Sequence, residues 1–550
     1  MIPNSLSPVF RLDALSGFTA AAIGLFFILT TLYSSVFMKK SPRSWVYYVY
    51  LLLTALASAG CVLANNLILL LFLWGFLGLL LYLLINKGEE DASVIAKKSL
   101  IMVGGSDVLM VFGGGIIVYL SGSLRMDHIR LPLDNAWAIT AYVCMAIASF
   151  TKAGIMPFHS WIPECCRKAP APVVAFLPAS LDKLLGIYLL ARISLDLFVM
   201  NQAMNLLLMV IGAFTILSAV MMALIQHNMK KLLGFHAVSQ VGYMVLGIGT
   251  GSPLGIAGAL FHMLNHAIYK SCLFLTAGNV EYRTGTTELE KLGGLARWMP
   301  MTYVSCLIAS LSIVGVPPFN GFFSKWMIYQ GLIESISSAG RGRILVVFCL
   351  VAAMFGSGLT LASFMKLLHA VFLGQKSSLL VKKREEVPWA MWLPCVILAA
   401  LCVIFGIFAD QLPLKYLILP AIGAVTYPGI WTAGLAAGFL ITGLLIGLLI
   451  FNSKGLKQGL RPDEGFIGGE PMDLSQNRVT GQDFYKTVEE LGVLKGIYAM
   501  AEKGSFDIYV QGEKVFSISR IIVFLHNGVL PTYLVWVLVG MIGLLFALVR

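Results

Sequence analysis

Fourteen predominantly apolar runs, separated by short polar turns, organise this chain: near 16–38, 45–64, 66–86, 98–120, 136–166, 171–194, 203–226, 232–250, 254–280, 299–336, 343–373, 389–408, 430–451 and 527–549. Most reach the roughly 20 residues that carry a helix across a hydrocarbon layer about 30 Å thick. They lack the two-residue alternation of barrel strands, and backbone in lipid must satisfy its own hydrogen bonds. The pattern therefore predicts an all-α polytopic membrane protein with about 14 transmembrane helices. Read in order, residues 1–97 hold N-terminal spans, 98–250 and 251–375 two repeats, 376–451 further spans, 452–526 a cytoplasmic, amphipathic segment, and 527–550 a final span.

Two runs are interrupted in the same way. Gly154-Ile-Met-Pro157-Phe158-His159 and Gly315-Val-Pro317-Pro318-Phe319-Asn320 share the pattern G-[VI]-x-P-F-[HN], and each leads to a short amphipathic half bearing Trp161 or Trp326. Proline within a helix removes a donor and frees carbonyls, which membrane interiors tolerate only beside protein or water. Pro157, Pro317 and Pro318 are the expected helix breaks. Paired interrupted helices in two halves indicate inverted repeats built around an ion or substrate path.

Polar residues inside the apolar runs sharpen that picture. Lys152, Lys183, Lys270 and Lys366 each sit in a stretch that otherwise belongs in lipid. A cation there costs at least a few kcal/mol, so it faces protein or a water-filled path and marks ion traffic. His262 and His266 precede Lys270 at four-residue steps on one helix face, and His369 follows Lys366 by three. Lys325 follows the second break much as Lys152 precedes the first. Among the acids, Asp182 adjoins Lys183 and can neutralise it or tune Lys152. Asp107 lies among glycines that permit close helix contact, which suits a structural or a proton-carrying role.

Composition narrows the alternatives. Of 550 residues, 58% are hydrophobic and 12% charged, and the net charge of +12 sits mainly in short loops, as topology demands, so no nucleic-acid partner is expected. Alternate loops are rich in Lys and Arg, from Lys39 and Lys40 through Lys230 and Lys231 to Lys382 and Lys383. By the positive-inside rule these face the cytoplasm and both termini face outward, in an inner, multi-pass location. No basic n-region with a cleavage site opens the chain, so no removable signal peptide is expected. Nine scattered cysteines form no cluster motif, and Cys165 and Cys166 read as small apolar filling. His262 and His266 have metal-compatible spacing but no third ligand, so neither metal nor cofactor is expected.

The strings TKAGIMPFHSWIPE, KKLLGFHAVSQVGYM, FHMLNHAIYKSCLFLTAG and SIVGVPPFNGFFSKW resemble the proton-translocating antiporter-like subunits of respiratory complex I, multisubunit sodium/proton antiporters and group 4 membrane-bound hydrogenases. The resemblance covers residues 10–375. FIGGE, FDIY and the added terminal span are more similar to hydrogenase-4 component B and the formate hydrogenlyase membrane subunit. Phe10–Ser16 resembles the entry to the family's third helix, implying that two earlier helices are lacking.

The resemblance implies a non-catalytic subunit that moves H+ or Na+ beside antiporter-like, hydrogenase or complex I-like membrane partners, in contact with lipid. It implies that Lys152 is the broken-helix lysine, Lys183 and Lys270 the central lysines, Lys366 the terminal lysine, and His262 and His266 members of the connecting axis. The family's glutamate after Trp is Gly75 here, and its histidine near Pro178 is absent. Asp182 is then expected to supply the carboxylate for Lys152, or the first half no longer pumps. Sodium/proton exchange without a redox partner and a scaffold with a decayed path are the other readings.

Overall fold

The computed structural model describes residues 9–88, 91–338, 340–375, 385–423, 425, 433–452, 480–481, 484–516 and 530–548. FIGGE, Lys382, Lys383 and the first eight residues lie outside them. The first unit, ending at Glu489, is a helical bundle. Ten described helices are long and apolar enough to cross a membrane, and shorter apolar helices include Pro300–Val314 and Leu530–Ile542. The fold is thus all-α and polytopic.

Its outer spans include α1 (Ala14–Phe37), α2 (Ser44–Leu63), α3 (Leu67–Ile85), α4 (Ala92–Ser121) and α9 (Gln202–Leu224). Local chemistry sets their ends. Asp13 closes a capping box with Ser16, and Asn66 and Asn201 accept from backbone N–H groups in the first turns of α3 and α9. Inside lie α7 (Ala171–Phe176), which continues through a π turn into α8 (Asp182–Arg192), together with α10 (Met229–Gly249) and α11 (Pro253–Thr284). The most apolar windows of Ala171–Leu197 and α10 are 100% buried, against 33% for Arg343–Leu373, which contains α14 (Arg343–Leu368). The helices with the most polar side chains are those kept from lipid, as the cost of exposing such groups to hydrocarbon requires.

Both interrupted spans break as the motif predicts. α5 (Ala136–Ala153) ends at Gly154 (φ 85°) before α6 (Trp161–Lys168), and α12 (Pro300–Val314) ends at Gly315 (φ 89°) before α13 (Asn320–Ser338). Only glycine takes that left-handed turn without a Cβ penalty. The hydrogen bonding recurs: Gly154 and Ile155 both donate to Phe150 O (2.6 and 2.9 Å), and Gly315 and Val316 both donate to Leu311 O (3.2 and 3.1 Å). The peptides before Pro157 and Pro318 are cis. Between α5 and α12 the chain passes through Ala171–Leu197, α9, α10 and α11, so α12 is an odd number of crossings later and runs the opposite way. The repeats are inverted for that reason.

One expectation about the loops changes. Lys230 is not a solvent-facing loop cation: it is 2% exposed and ion-paired to Glu281 at 2.9 Å. Lys231 pairs with Glu164 at 3.0 Å. Both helix termini carry a partner acid nearby, so part of the basic bias in that loop is internal pairing.

The second unit, Glu490–Arg550, contains the helices Gly492–Glu502, Ile508–Phe516 and Leu530–Leu548. The first two have one apolar face, and the last is apolar all round. An apolar helix of that length suits a membrane span.

Candidate functional site

The first break gathers charge. Lys152, in the last turn of α5, is 1% exposed, with its ammonium 4.8 Å from the Trp74 ring on α3 and no hydrogen-bond partner among the described residues. Asp107 of α4 and Asp182 of α8 are both within electrostatic reach of it. Lys183 is fully buried, 5.9 Å from the Trp161 ring, and its Nζ lies 3.3 Å from where a Cβ on Gly154 would stand. Trp161 Nε1 donates to Thr151 O (3.0 Å), covering a carbonyl near the break. Isolated ions in such an interior would cost many kcal/mol, and two acids alternating with two lysines offset that cost.

Gly75 has another meaning in three dimensions. It lies on an exposed side of α3, and a Cβ there would meet nothing within 4 Å. Trp74 and Gly78 form the inward face, and a Cβ at Gly78 would lie 3.5 Å from Asp107 Oδ2. Asp107 therefore joins Asp182 as a carboxylate near Lys152.

The middle of the bundle is held by α10 and α11. Lys270 donates to Leu233 O (2.8 Å), and His266, fully buried, has no hydrogen-bond partner on either ring nitrogen among the described residues. Lys183, Lys270 and His262 all act electrostatically on His266. His262 places Nδ1 2.9 Å from Ser324 Oγ and Nε2 3.2 Å from Gln240 Oε1. His236 meets Ser363 Oγ at 2.7 Å and feels both Lys270 and Lys325.

At the second break Lys325 turns back onto the end of α12. It donates to Ile313 O (2.9 Å), Val314 O (3.2 Å) and Ser357 Oγ (3.0 Å), over the Tyr243 ring at 4.7 Å. The carbonyls freed by the break are its acceptors, which explains why a cation is tolerated there. Lys366, fully buried, donates to Leu224 O (2.8 Å), with Glu489 and His227 within electrostatic reach. His369 is half-buried, 5.3 Å from the Phe484 ring.

Half-buried Asp107 and the buried Lys152, Asp182, Lys183, Lys270, His266, His262 and Lys325 thus form a series. Both breaks lie on it. The model for the NADH:quinone oxidoreductase/Mrp antiporter transmembrane region fits residues 64–360, which hold both breaks and all of these groups. The chain belongs to that family.

Two relatives described as Na(+)/H(+) antiporter subunit A1 support the same membership. That of Staphylococcus haemolyticus (strain JCSC1435) is 35% identical over 423 residues, covering 72% of this chain and 52% of the relative. That of Staphylococcus aureus (strain MRSA252) is 32% identical over 428 residues, with coverage of 72% and 52%. The chain spans about half the length of the curated relatives it matches. Solved folds agree: a membrane-bound sulfane sulfur reductase, an archaeal respiratory membrane complex, aligns at TM-score 0.79 and 24% identity over 98% of this chain and 89% of the other. The Mrp complex from Dietzia sp. DQ12-45-1b gives 0.68 at 21% over 80% and 86%, and respiratory complex I from Thermus thermophilus 0.65 at 21% over 78% and 86%.

Within this family fold, sequence reading left out Lys325, His236, Gln240 and Trp74 from the site. A signal was present for two of them: His236 and Gln240 stand four residues apart in GFHAVSQVGYM, the spacing that puts side chains on one helix face. Lys325 was visible beside the break, but its contact with Ile313 and Val314 depends on how the chain reverses at Gly315.

Proposed function

We propose that this chain is an ion-translocating, antiporter-like subunit of a multi-subunit membrane assembly, moving H+ or Na+ through its buried lysines and histidines. The observation supporting this reading is the set of enclosed ionisable side chains gathered between the two helix breaks. Such residues inside a membrane are costly and mark ion pathways. A proton arriving near Asp107 or Lys152 alters the electrostatic free energy of Lys183. Lys183 in turn acts on Lys270 and His266, and the change passes to His262 and Lys325. The protein supplies no catalytic residues and no cofactor in this reading. Redox chemistry, where present, belongs to complex I-like or hydrogenase-type partner subunits, and the assembly sits in the cytoplasmic membrane with both termini of this chain outward.

Sodium/proton exchange without a redox module is the second reading, favoured by the names of the relatives at 32–35% identity. Membrane vesicles containing the intact assembly distinguish the two. Proton movement driven by an electron donor supports redox coupling. Proton movement driven by a sodium gradient alone supports exchange. Loss of either movement in Lys183→Leu, with the assembly intact on native gels, supports the lysine path. Unchanged movement in that variant would overturn it.

A further inference from the structure

A second polar line enters the bundle between α11, α12 and α15 (Trp389–Ile407), away from the lysines. It begins at half-buried Glu386, whose carboxylate accepts from Met301 N (2.9 Å), Thr302 N (3.1 Å) and Thr302 Oγ1 (2.7 Å). Asn279 Nδ2 donates to the same Thr302 oxygen (3.1 Å) and approaches Cys395 Sγ at 3.6 Å. Cys272 contacts the carbonyls of Cys395 (3.4 Å) and Ser305 (3.6 Å) and lies within electrostatic reach of Cys306 and Cys402. Cys402 reaches Ser312, which bonds Asn320. Asn320 Nδ2 donates to Asn265 Oδ1 (2.9 Å), and Asn320 O accepts from both Asn265 Nδ2 (2.9 Å) and Ser324 Oγ (3.4 Å). Ser324 is the residue that contacts His262.

Every side chain after Glu386 in this succession is essentially enclosed. Ordinary helix packing accounts for hydroxyls that bond their own helix, such as Thr276 to Leu273 O at 2.9 Å. It does not account for Asn279, which is 0% exposed yet leaves Oδ1 with no hydrogen-bond partner among the described residues. A buried amide oxygen of this kind is normally satisfied, commonly by an internal water. Nor does packing require polar residues from four helices, α11, α12, α13 and α15, to follow one another up to a histidine of the ion path.

The geometry points to a water-bearing access route for protons, running from Glu386 through Thr302, Asn279 and the Cys395–Cys306 region to Asn265 and His262. It rests on the ion-translocation reading and adds an entry that bypasses Lys366. Glu386 gathers cations at the mouth, while neutral hydroxyls, amides and thiols hold water without fixing a charge. The route delivers to the second repeat alone, because its inner end is the Asn320–Ser324 side of the second break.

The native thiols test it. The intact assembly, in sealed vesicles of each orientation, is treated with 2-aminoethyl methanethiosulfonate, and the peptides containing Cys395 and Cys306 are weighed by mass spectrometry. Modification from the Glu386 face, at least tenfold faster than from the opposite face and suppressed in Asn279→Leu and Thr302→Val, supports the route. The milder Thr302→Val retains shape if Asn279→Leu assembles poorly. No modification of either cysteine in an assembly that moves ions, together with full proton movement in Thr302→Val, overturns it. Because labelling needs no turnover, modification without any ion movement retains the hydrated route and rejects the function on which it rests.

Discussion

Replacing Lys325 separates what its charge does from what its proton does. Its ammonium makes three hydrogen bonds, to Ile313 O, Val314 O and Ser357 Oγ. Charge-assisted bonds net about 1.5–3 kcal/mol each, so the three sum to roughly 5–9 kcal/mol. Desolvating the ammonium costs several kcal/mol, which largely offsets that gain. Lys325→Met keeps the long stem against Tyr243, discards both the bonds and the desolvation penalty, and leaves two carbonyls exposed by the break. The expected net change in stability is therefore only a few kcal/mol, and the assembly survives.

Lys325→Arg is the sharper variant. Guanidinium keeps the positive charge and the capacity to donate to the same carbonyls, but it does not give up a proton at any accessible pH. If Lys325 works by releasing its proton, both variants lower proton movement at least tenfold, measured with a pH-sensitive dye in vesicles at matched amounts of assembled complex. If Lys325 is only a fixed charge that closes the broken helix, the arginine variant retains most activity while the methionine variant loses it. Retention of more than half the wild-type rate by Lys325→Arg would refute the reasoning.

Other consequences follow from the same geometry. Asp107→Asn removes one of two acids acting on Lys152 and should cut ion movement several-fold, while Asp107→Asn combined with Asp182→Asn should abolish it; equal rates in all three proteins would show that neither acid matters. Gly154→Ala forces a side chain into a left-handed turn at φ 85° and against Ile162, so it should lower stability by about 1–3 kcal/mol or more, read as a reduced temperature of complex dissociation. Lys230→Met strands Glu281, half-enclosed, and should cost about 3 kcal/mol, with much of the loss restored in Lys230→Met combined with Glu281→Leu. At Asp13, burial alone would raise the carboxyl, but the hydrogen bond and charge of Arg192 outweigh it and bring it from its ordinary 3.8 down to about 2. A depressed carboxyl contributes stability that is complete above its unfolded value and lost as pH falls from about 4 through about 2, so Arg192→Leu should flatten acid unfolding in that window.

The span pattern, both breaks and the enclosure of Lys152, Lys183, Lys270, His262 and His266 are legible along the chain, because each is a local departure from apolar periodicity. An isolated lysine in an apolar run does not say what it will meet: Lys366 meets the Leu224 carbonyl at the end of α9, with His227 and Glu489 within electrostatic reach. Lys325 was harder to value because it lies in an amphipathic half-helix, where a lysine suits a solvated face. Only the reversal at Gly315 turns it inward. Asn279, Cys395 and Cys306 carry no charge and no motif, so nothing in one dimension distinguishes them from packing residues.

Gly75 is where a motif comparison and a spatial one give opposite expectations, and a single substitution decides between them. Along the chain, glycine in the position of the family's glutamate reads as a lost partner for Lys152, so Gly75→Glu should raise ion movement. In the bundle, position 75 is on an exposed side of α3, a Cβ there meets nothing within 4 Å, and the inward-facing neighbours are Trp74 and Gly78. A glutamate at 75 then places its carboxylate toward lipid or a neighbouring subunit, at a cost of about 2–4 kcal/mol, while Asp107 already supplies charge beside Lys152. The expected outcome is unchanged or lower ion movement and weaker membrane accumulation. Gly78→Ala, whose added carbon makes only ordinary contact with Asp107 Oδ2 (3.5 Å) and Val103 Cγ1 (3.6 Å) on the inward face, should leave both ion movement and accumulation unchanged. A faster Gly75→Glu protein would mean that α3 turns its other face to Lys152 during turnover, and that Asp107 does not substitute for the missing acid.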